Sequence, residues 1–128
     1  MAKLKKAVQT EGAPAPVGPY SQAVAFGDLV FSSGQIGLDP ATGKMADASV
    51  EEEAEQVFCN LAAVLEAAGS GMDRAVKVTV FLTDMGDFGR VNEVYARHFK
   101  EPFPARSCFA VAALPKGARV EVEAVAVR

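Results

Sequence analysis

The run Val120-Glu121-Val122-Glu123-Ala124-Val125-Ala126-Val127 restricts the fold more than any other segment. In an extended chain Val120, Val122, Ala124 and Ala126 share one side, while Glu121, Glu123, Val125 and Val127 share the other. The first side is continuous, small and apolar, so it must lie on a packed core. The second is half apolar, so it also needs cover. One strand therefore predicts a sheet with helices on one face and a second face that another copy of the chain buries.

The rest of the chain supplies partners for that strand, which is read as Ala118 to Val127. Ser21 to Ala25 and Leu29 to Ser33 form a hairpin through Phe26-Gly27-Asp28, where the glycine accommodates positive φ. Leu38 to Lys44 carries Asp, Pro and Gly at turn spacing and reads as a loop. Ser49 is the N-cap of a first helix, with Glu52 completing a capping box and Glu51 to Glu53 near the positive end of the dipole. Ala54, Val57, Phe58, Leu61, Leu65 and Ala68 make its apolar stripe, and Gly69 ends it.

Ala75 to Leu82 alternates, with Val76, Val78, Val80 and Leu82 on one face and Lys77, Thr79 and Phe81 on the other. A second helix runs from about Asp87 to Phe99, with Phe88, Val91, Tyr95 and Phe99 as its stripe, and Pro102 and Pro104 prevent its continuation. Ala105 to Ala113 is a further strand, and Leu114-Pro115-Lys116-Gly117 separates it from the last. The order β-β-α-β-α-β-β, with a short additional strand near Val8, predicts an α+β fold: one mixed sheet with both helices as crossovers on the same face.

A chain of 128 residues, 50% of them hydrophobic, suffices for one domain, 1–128, and is short for two. Its formal charge of -3 gives no global attraction to nucleic acid or to an acidic membrane. Lys3, Lys5 and Lys6 form the only basic cluster and read as a solvated end. Neither a membrane-spanning window nor a signal peptide's apolar region is evident, so the expected location is cytoplasmic. Cys59 and Cys108 lie far apart and outside any CxxC pair, as fits reduced thiols.

Several chemistries lack their parts. The single histidine, His98, has no clustered ligands for a metal and no place in a Ser-His-Asp or Cys-His arrangement with Ser32, Ser33 or Cys108. Its position in the last turn of a helix is explained by the dipole. Gly69-Ser70-Gly71 follows a helix and precedes none, so it reads as a cap and turn instead of a phosphate loop. Asp87-Phe88-Gly89 stands without any other kinase part.

Arg106, in Phe103-Pro104-Ala105-Arg106-Ser107-Cys108-Phe109, is a permanent cation in an apolar strand pattern, and its guanidinium calls for an anion. The anion is either an acid of the chain, Glu121 above all, or the carboxylate or phosphate of a ligand. Gly34 reads equally as a bulge or as a point of close backbone approach to a ligand. Tyr20 and Ser33 have ordinary readings as a tyrosine beside a turn and a hydroxyl at a strand end, and Asn92 as a solvent-facing helix residue.

Gly18-Pro19-Tyr20-Ser21-Gln22-Ala23, Ser32-Ser33-Gly34-Gln35-Ile36-Gly37 and Pro104-Ala105-Arg106-Ser107-Cys108 backed by Val120-Glu121-Val122-Glu123-Ala124 together resemble the RidA (YjgF) family. Order and spacing match over nearly the whole chain, and Asn92 in Val91-Asn92-Glu93-Val94-Tyr95 matches a further family position. The resemblance implies a chorismate-mutase-like α+β fold and a homotrimer whose remaining sheet faces form a central barrel, with clefts between subunits. It implies hydrolytic deamination of reactive 2-imino acids, such as 2-iminobutanoate and 2-iminopropanoate, which pre-empts damage to pyridoxal-phosphate enzymes. No cofactor and no metal are expected, and the partners expected are the small-molecule substrate and copies of the chain, without membrane or nucleic acid.

On that resemblance Arg106 anchors the substrate carboxylate, Glu121 orients or deprotonates water, and the Cys108 carbonyl contacts the reacting nitrogen or water. Tyr20, Ser33, Gly34 and Asn92 are substrate-binding, Asn92 from a neighbouring subunit, and Glu123 is a structural or interface charge. Imine hydrolysis needs little beyond orientation, an ordered water and proton transfer, which suits a site without a nucleophile or metal. The competing readings are an endoribonuclease or translation inhibitor, and a non-catalytic small-molecule-binding or chaperone-like trimer.

Overall fold

Ser49 opens the first long helix as its hydroxyl accepts the Glu52 N–H at 3.1 Å, satisfying one of the helix's unpaired donors. The predicted capping box is half formed, because no return bond from the Glu52 carboxylate occurs among the described residues. Gly69, at φ 83°, turns the chain away after the last turn. Glu53 departs from the dipole reading: it is 1% exposed, and its carboxylate accepts from Arg119 Nε and from the Arg119 backbone N–H, both at 2.7 Å.

The computed structural model describes residues 4–128, so Lys3 of the terminal lysine cluster lies outside the described residues. The elements are β1 (Lys6–Val8), β2 (Ala23–Phe26), β3 (Leu29–Ser32), α1 (Val50–Ala67), β4 (Ala75–Leu82), α2 (Phe88–His98), β5 (Ala105–Ala110) and β6 (Val120–Val127). They build a six-stranded sheet in the order β1-β2-β3-β6-β4-β5. Only β4 and β5 run parallel, joined by α2; every other pair is antiparallel. This is the expected α+β arrangement, with the last strand slotted between β3 and β4.

The core lies between the helices and one sheet face. Val57, Phe58, Leu61, Val64 and Leu65 of α1 pack with Val30, Val78, Leu82, Val120, Val122 and Ala126, all of them fully buried. The reading of Val120–Val127 holds in detail, since its small apolar side is the buried one. Val76 departs from expectation. A register shift between Ala75 and Lys77 opposite β6 forms a bulge that turns Val76 outward, so it does not share the face of Val78, Val80 and Leu82.

β2, β3, β5 and β6 are shorter than predicted, the last two most clearly. β5 ends at Ala110, and the Val111 N–H adds one last bond to the Leu82 carbonyl at 2.7 Å. β6 begins at Val120 because Pro115–Gly117 forms a 3-10 turn, with Lys116 at φ 55° and Gly117 at φ 69°. His98 does sit in the last turn of α2, but it also bonds Glu55 of α1 at 2.9 Å and lies against the Phe58 ring.

The sheet face away from the helices carries Phe26, Leu29, Phe31, Phe109 and Val127, all exposed. Register places Leu29 beside Val127 and Phe31 beside Val125, so the apolar side chains are contiguous across β2, β3 and β6. Among the described residues, no helix is long and apolar enough to cross a membrane.

Candidate active site

The sheet divides the predicted site residues into two groups. Arg106 and Cys108 on β5 pair with Val78 and Val80, whose side chains face the helices. Glu121 on β6 pairs with Phe81, on the opposite face. An ion pair between Arg106 and Glu121 within the chain is therefore excluded by strand parity.

The first group gathers where β3 ends. After Ser32 the backbone leaves the ladder: the Ser32 hydroxyl accepts the Ala124 N–H at 2.9 Å, and regular pairing resumes as Gln35 exchanges bonds with Val122 at 2.8 and 3.1 Å. Ser33 and Gly34 form the irregular step between them. The Ser33 hydroxyl donates to the Ser21 carbonyl at 2.5 Å, and its N–H donates to Gln22 O at 2.9 Å. At Gly34 a Cβ would collide with the Glu121 Oε2 and approach its Cδ to 2.7 Å. Gly34 thus sits at a strand end, as its ordinary reading has it, and the Glu121 carboxylate lies against its backbone.

Glu121 is half-buried at a cavity of about 370 Å³ that is lined also by Tyr20, Ser33, Gly34, Ile36, Leu38 and Lys116. Burial raises its carboxyl above the ordinary range, and the nearby Glu123 carboxylate pushes it further the same way. The cavity wall is tied down by Gln22, 2% exposed, whose amide accepts from Thr10 N at 2.7 Å and donates to Pro14 O at 2.9 Å. Tyr20 is 50% exposed at the rim, its hydroxyl receiving the Val17 N–H at 3.4 Å.

The second group lies where β5 meets α2. Phe88, Asn92 and Tyr95 occupy one face of α2, and Arg106 reaches across to them. Its Nη1 donates to Asn92 Oδ1 at 2.7 Å, and its guanidinium carbon lies 4.6 Å from the Tyr95 ring centre and 5.6 Å from that of Phe88. No carboxylate forms a salt bridge with it among the described residues. A groove of about 430 Å³ beside it is bounded by Phe103, Pro104 and Ala96.

The Cys108 thiol is half-buried, which raises its pKa, while the Arg106 charge works in the other direction. A thiol held neutral is a poor nucleophile. Among the described residues, no group of three or more His, Cys, Asp or Glu side chains is arranged to hold a metal.

The structure brings together Tyr20, Ser33, Gly34 and Glu121, and separately Asn92, Arg106 and Cys108; one chain does not bring the two groups together. Sequence reasoning missed Gln22, Lys116, Phe88 and Tyr95. Phe88 and Tyr95 carry the periodicity of core and gave no signal of their own, and the signal for Lys116 was its place before a glycine in a turn. Gln22 lay inside a noted segment without a role.

Residues 10–128 match the family described as Endoribonuclease L-PSP. A RutC family protein of Sinorhizobium fredii is 54% identical over 92% of this chain and 94% of its own. A Mus musculus protein named 2-iminobutanoate/2-iminopropanoate deaminase is 50% identical over 98% of this chain and 93% of its own. The crystal structure of RidA from an Antarctic Psychrobacter superposes with a TM-score of 0.92 at 47% identity, covering 96% of this chain and 99% of that one.

Proposed function

Because this chain belongs to the Endoribonuclease L-PSP family, that of RidA, we propose that it is a 2-iminobutanoate/2-iminopropanoate deaminase, a hydrolase of reactive 2-imino acids. The observation that carries this reading is the state of Arg106: oriented by an amide and two aromatic rings, and without a carboxylate partner among the described residues. Its remaining N–H donors match a small carboxylate in a bidentate fork.

The chemistry then follows from the substrate. Water adds to C2 of the C=N bond, the resulting carbinolamine loses ammonia, and a 2-oxo acid remains. Glu121 passes a proton from water to the imine nitrogen as the C–O bond forms, then moves the carbinolamine hydroxyl proton to the nitrogen as ammonia leaves, a role suited to a carboxylate whose pKa burial has raised. The Cys108 carbonyl contacts the nitrogen or the water, and Tyr20, Ser33 and Gly34 line the side opposite Arg106. The apolar walls at Ile36 and Leu38 suit a short alkyl side chain.

Arg106 and Glu121 act on one substrate only if two chains meet, and the family resemblance makes the working form a homotrimer. Its subunits bury their open sheet faces in a central barrel, and each cleft combines Arg106, Asn92 and Cys108 of one chain with Glu121, Gly34, Ser33 and Tyr20 of the next. The contiguous exposed apolar face supports this assembly. The enzyme works in the cytosol beside pyridoxal-phosphate enzymes that release such imines, and both of its cysteines are free thiols.

The test couples a threonine dehydratase to semicarbazide trapping of its imine. Catalytic amounts of this protein should divert the imine to 2-oxobutanoate before it is trapped. No diversion would leave the non-catalytic binder as the better reading. An RNA-cleaving role finds less support, since His98 is engaged by Glu55 between the helices.

A further inference from the structure

We infer that Tyr95, seconded by Phe88, is a positioning residue for the anion-binding arginine: its ring sets the plane and direction of the Arg106 guanidinium without consuming its charge. This rests on the reading of Arg106 as the substrate anchor. A flexible arginine at a strand edge samples many rotamers, and an anchor that wanders loses orientation along with affinity. Proteins usually fix an arginine with a carboxylate, which here would compete with the substrate for the same N–H groups.

An aromatic face avoids that conflict, because it attracts the cation through its quadrupole from above the plane and leaves the in-plane donors to other acceptors. The geometry meets this requirement. Tyr95 lies 4.6 Å and Phe88 5.6 Å from the guanidinium carbon, and Asn92 takes up a single bond, from Nη1. Phe88, Asn92 and Tyr95 recur at helical spacing, so one face of α2 holds the whole support.

Tyr95 is in turn held rigid. It is 7% exposed, stacked on Phe99 at 4.4 Å and edge-on to Phe58 at 5.7 Å. Its hydroxyl is buried without a hydrogen-bond partner among the described residues, so the ring and not the hydroxyl is the working part. Burial raises the pKa of that hydroxyl, with Arg106 opposing, which keeps the ring neutral.

The experiment follows the Arg106 Nε–H by NMR relaxation and titrates each variant with pyruvate, alongside the imine-trapping assay. Tyr95→Phe should keep the guanidinium ordered and pyruvate affinity within about twofold of wild type, whereas Tyr95→Leu should mobilise it and weaken both binding and turnover by about tenfold. In an Arg106→Lys background, Tyr95→Leu should add less than about twofold, because the planar group it supports is gone. If Tyr95→Leu does not fold, Phe88→Leu takes its place, with an expected mobilisation of Arg106 and a loss of about threefold.

An Arg106 Nε–H that stays ordered in the leucine variants overturns the inference. So does a tyrosine-to-phenylalanine change as damaging as leucine, or an undiminished effect in the lysine background. An inactive wild type whose Arg106 nevertheless depends on Tyr95 would instead sink the deaminase reading alone.

Discussion

Arg106 and Glu121 project from opposite faces of the same sheet, one over α2 and the other beside Phe81 on the uncovered side. If both act on one small molecule, as proposed, two chains must meet to bring them to it. Arg106→Ala and Glu121→Ala variants should each be nearly inactive when purified alone. Unfolded together and reassembled from an equal mixture, random trimers should recover about one quarter of wild-type sites, those pairing an intact arginine with an intact glutamate from the next chain. Coupled imine trapping measures the recovery, and a mixture as inactive as its components would place both residues in a site within one chain.

Glu121 should impose an acidic limb on kcat/KM that lies above the usual carboxylate range, because burial and then Glu123 raise its pKa. In the proposed role the ionised form is the active one, so activity should fall as pH drops through that value. Glu123→Gln removes the like charge and should shift the limb to lower pH without abolishing activity. A limb unmoved by that change would show that another group controls it.

The same shift has a consequence for stability. A carboxyl with a raised folded-state pKa favours the fold below its unfolded value, and that contribution is lost as pH rises through the folded value. At neutral pH the ionised Glu121 therefore opposes folding, so Glu121→Gln should raise Tm there while turnover falls. The gain should vanish as both forms approach the pH at which Glu121 is protonated. A Tm lowered at neutral pH would mean that the carboxylate has a stabilising partner in the assembly.

Much of this was legible in the chain. The period of Val120–Val127 gave its buried side correctly, because parity in a strand is fixed by backbone geometry. Val76 was misassigned because a bulge resets parity without leaving a mark in a run of β-branched residues. Arg106 stood out as a cation in an apolar strand pattern, whereas Tyr20, Ser33, Gly34 and Asn92 entered as candidates through the family resemblance, and the division of the candidates between two faces was not visible. That needed the register between β4, β5 and β6, which joins residues far apart in sequence. Tyr95 was hidden for another reason: a residue that packs in the core on one side and supports a cation on the other has the periodicity of core alone.

Gly34→Ala should be damaging because of Glu121 and not because of backbone conformation. The added Cβ would overlap the carboxylate end of a flexible side chain beside a cavity, so the carboxylate swings aside at a stability cost of less than about 1 kcal/mol. Activity should fall with it, since the carboxylate must move to make room. In a Glu121→Ala background the same substitution should cost less still, as the obstructing atoms are gone. Thermal unfolding of the four proteins measures the coupling, and equal costs in both backgrounds would locate the clash elsewhere.

Phe31→Glu tests the open face directly. Phe31 is 44% exposed in the isolated chain and lies between Val24 and Val125, at the centre of the contiguous apolar surface. A carboxylate there is harmless to a solvated face and costly in one buried against another subunit, where an unpaired charge lacks both water and a partner. The variant should remain folded, with a circular dichroism spectrum like wild type, and should sediment as a monomer at micromolar concentration. Imine diversion should then be lost, although Arg106 and Glu121 are both intact in every chain. A monomer with full activity would sever the link between assembly and chemistry, and a trimer with the charge in place would move the interface off this face.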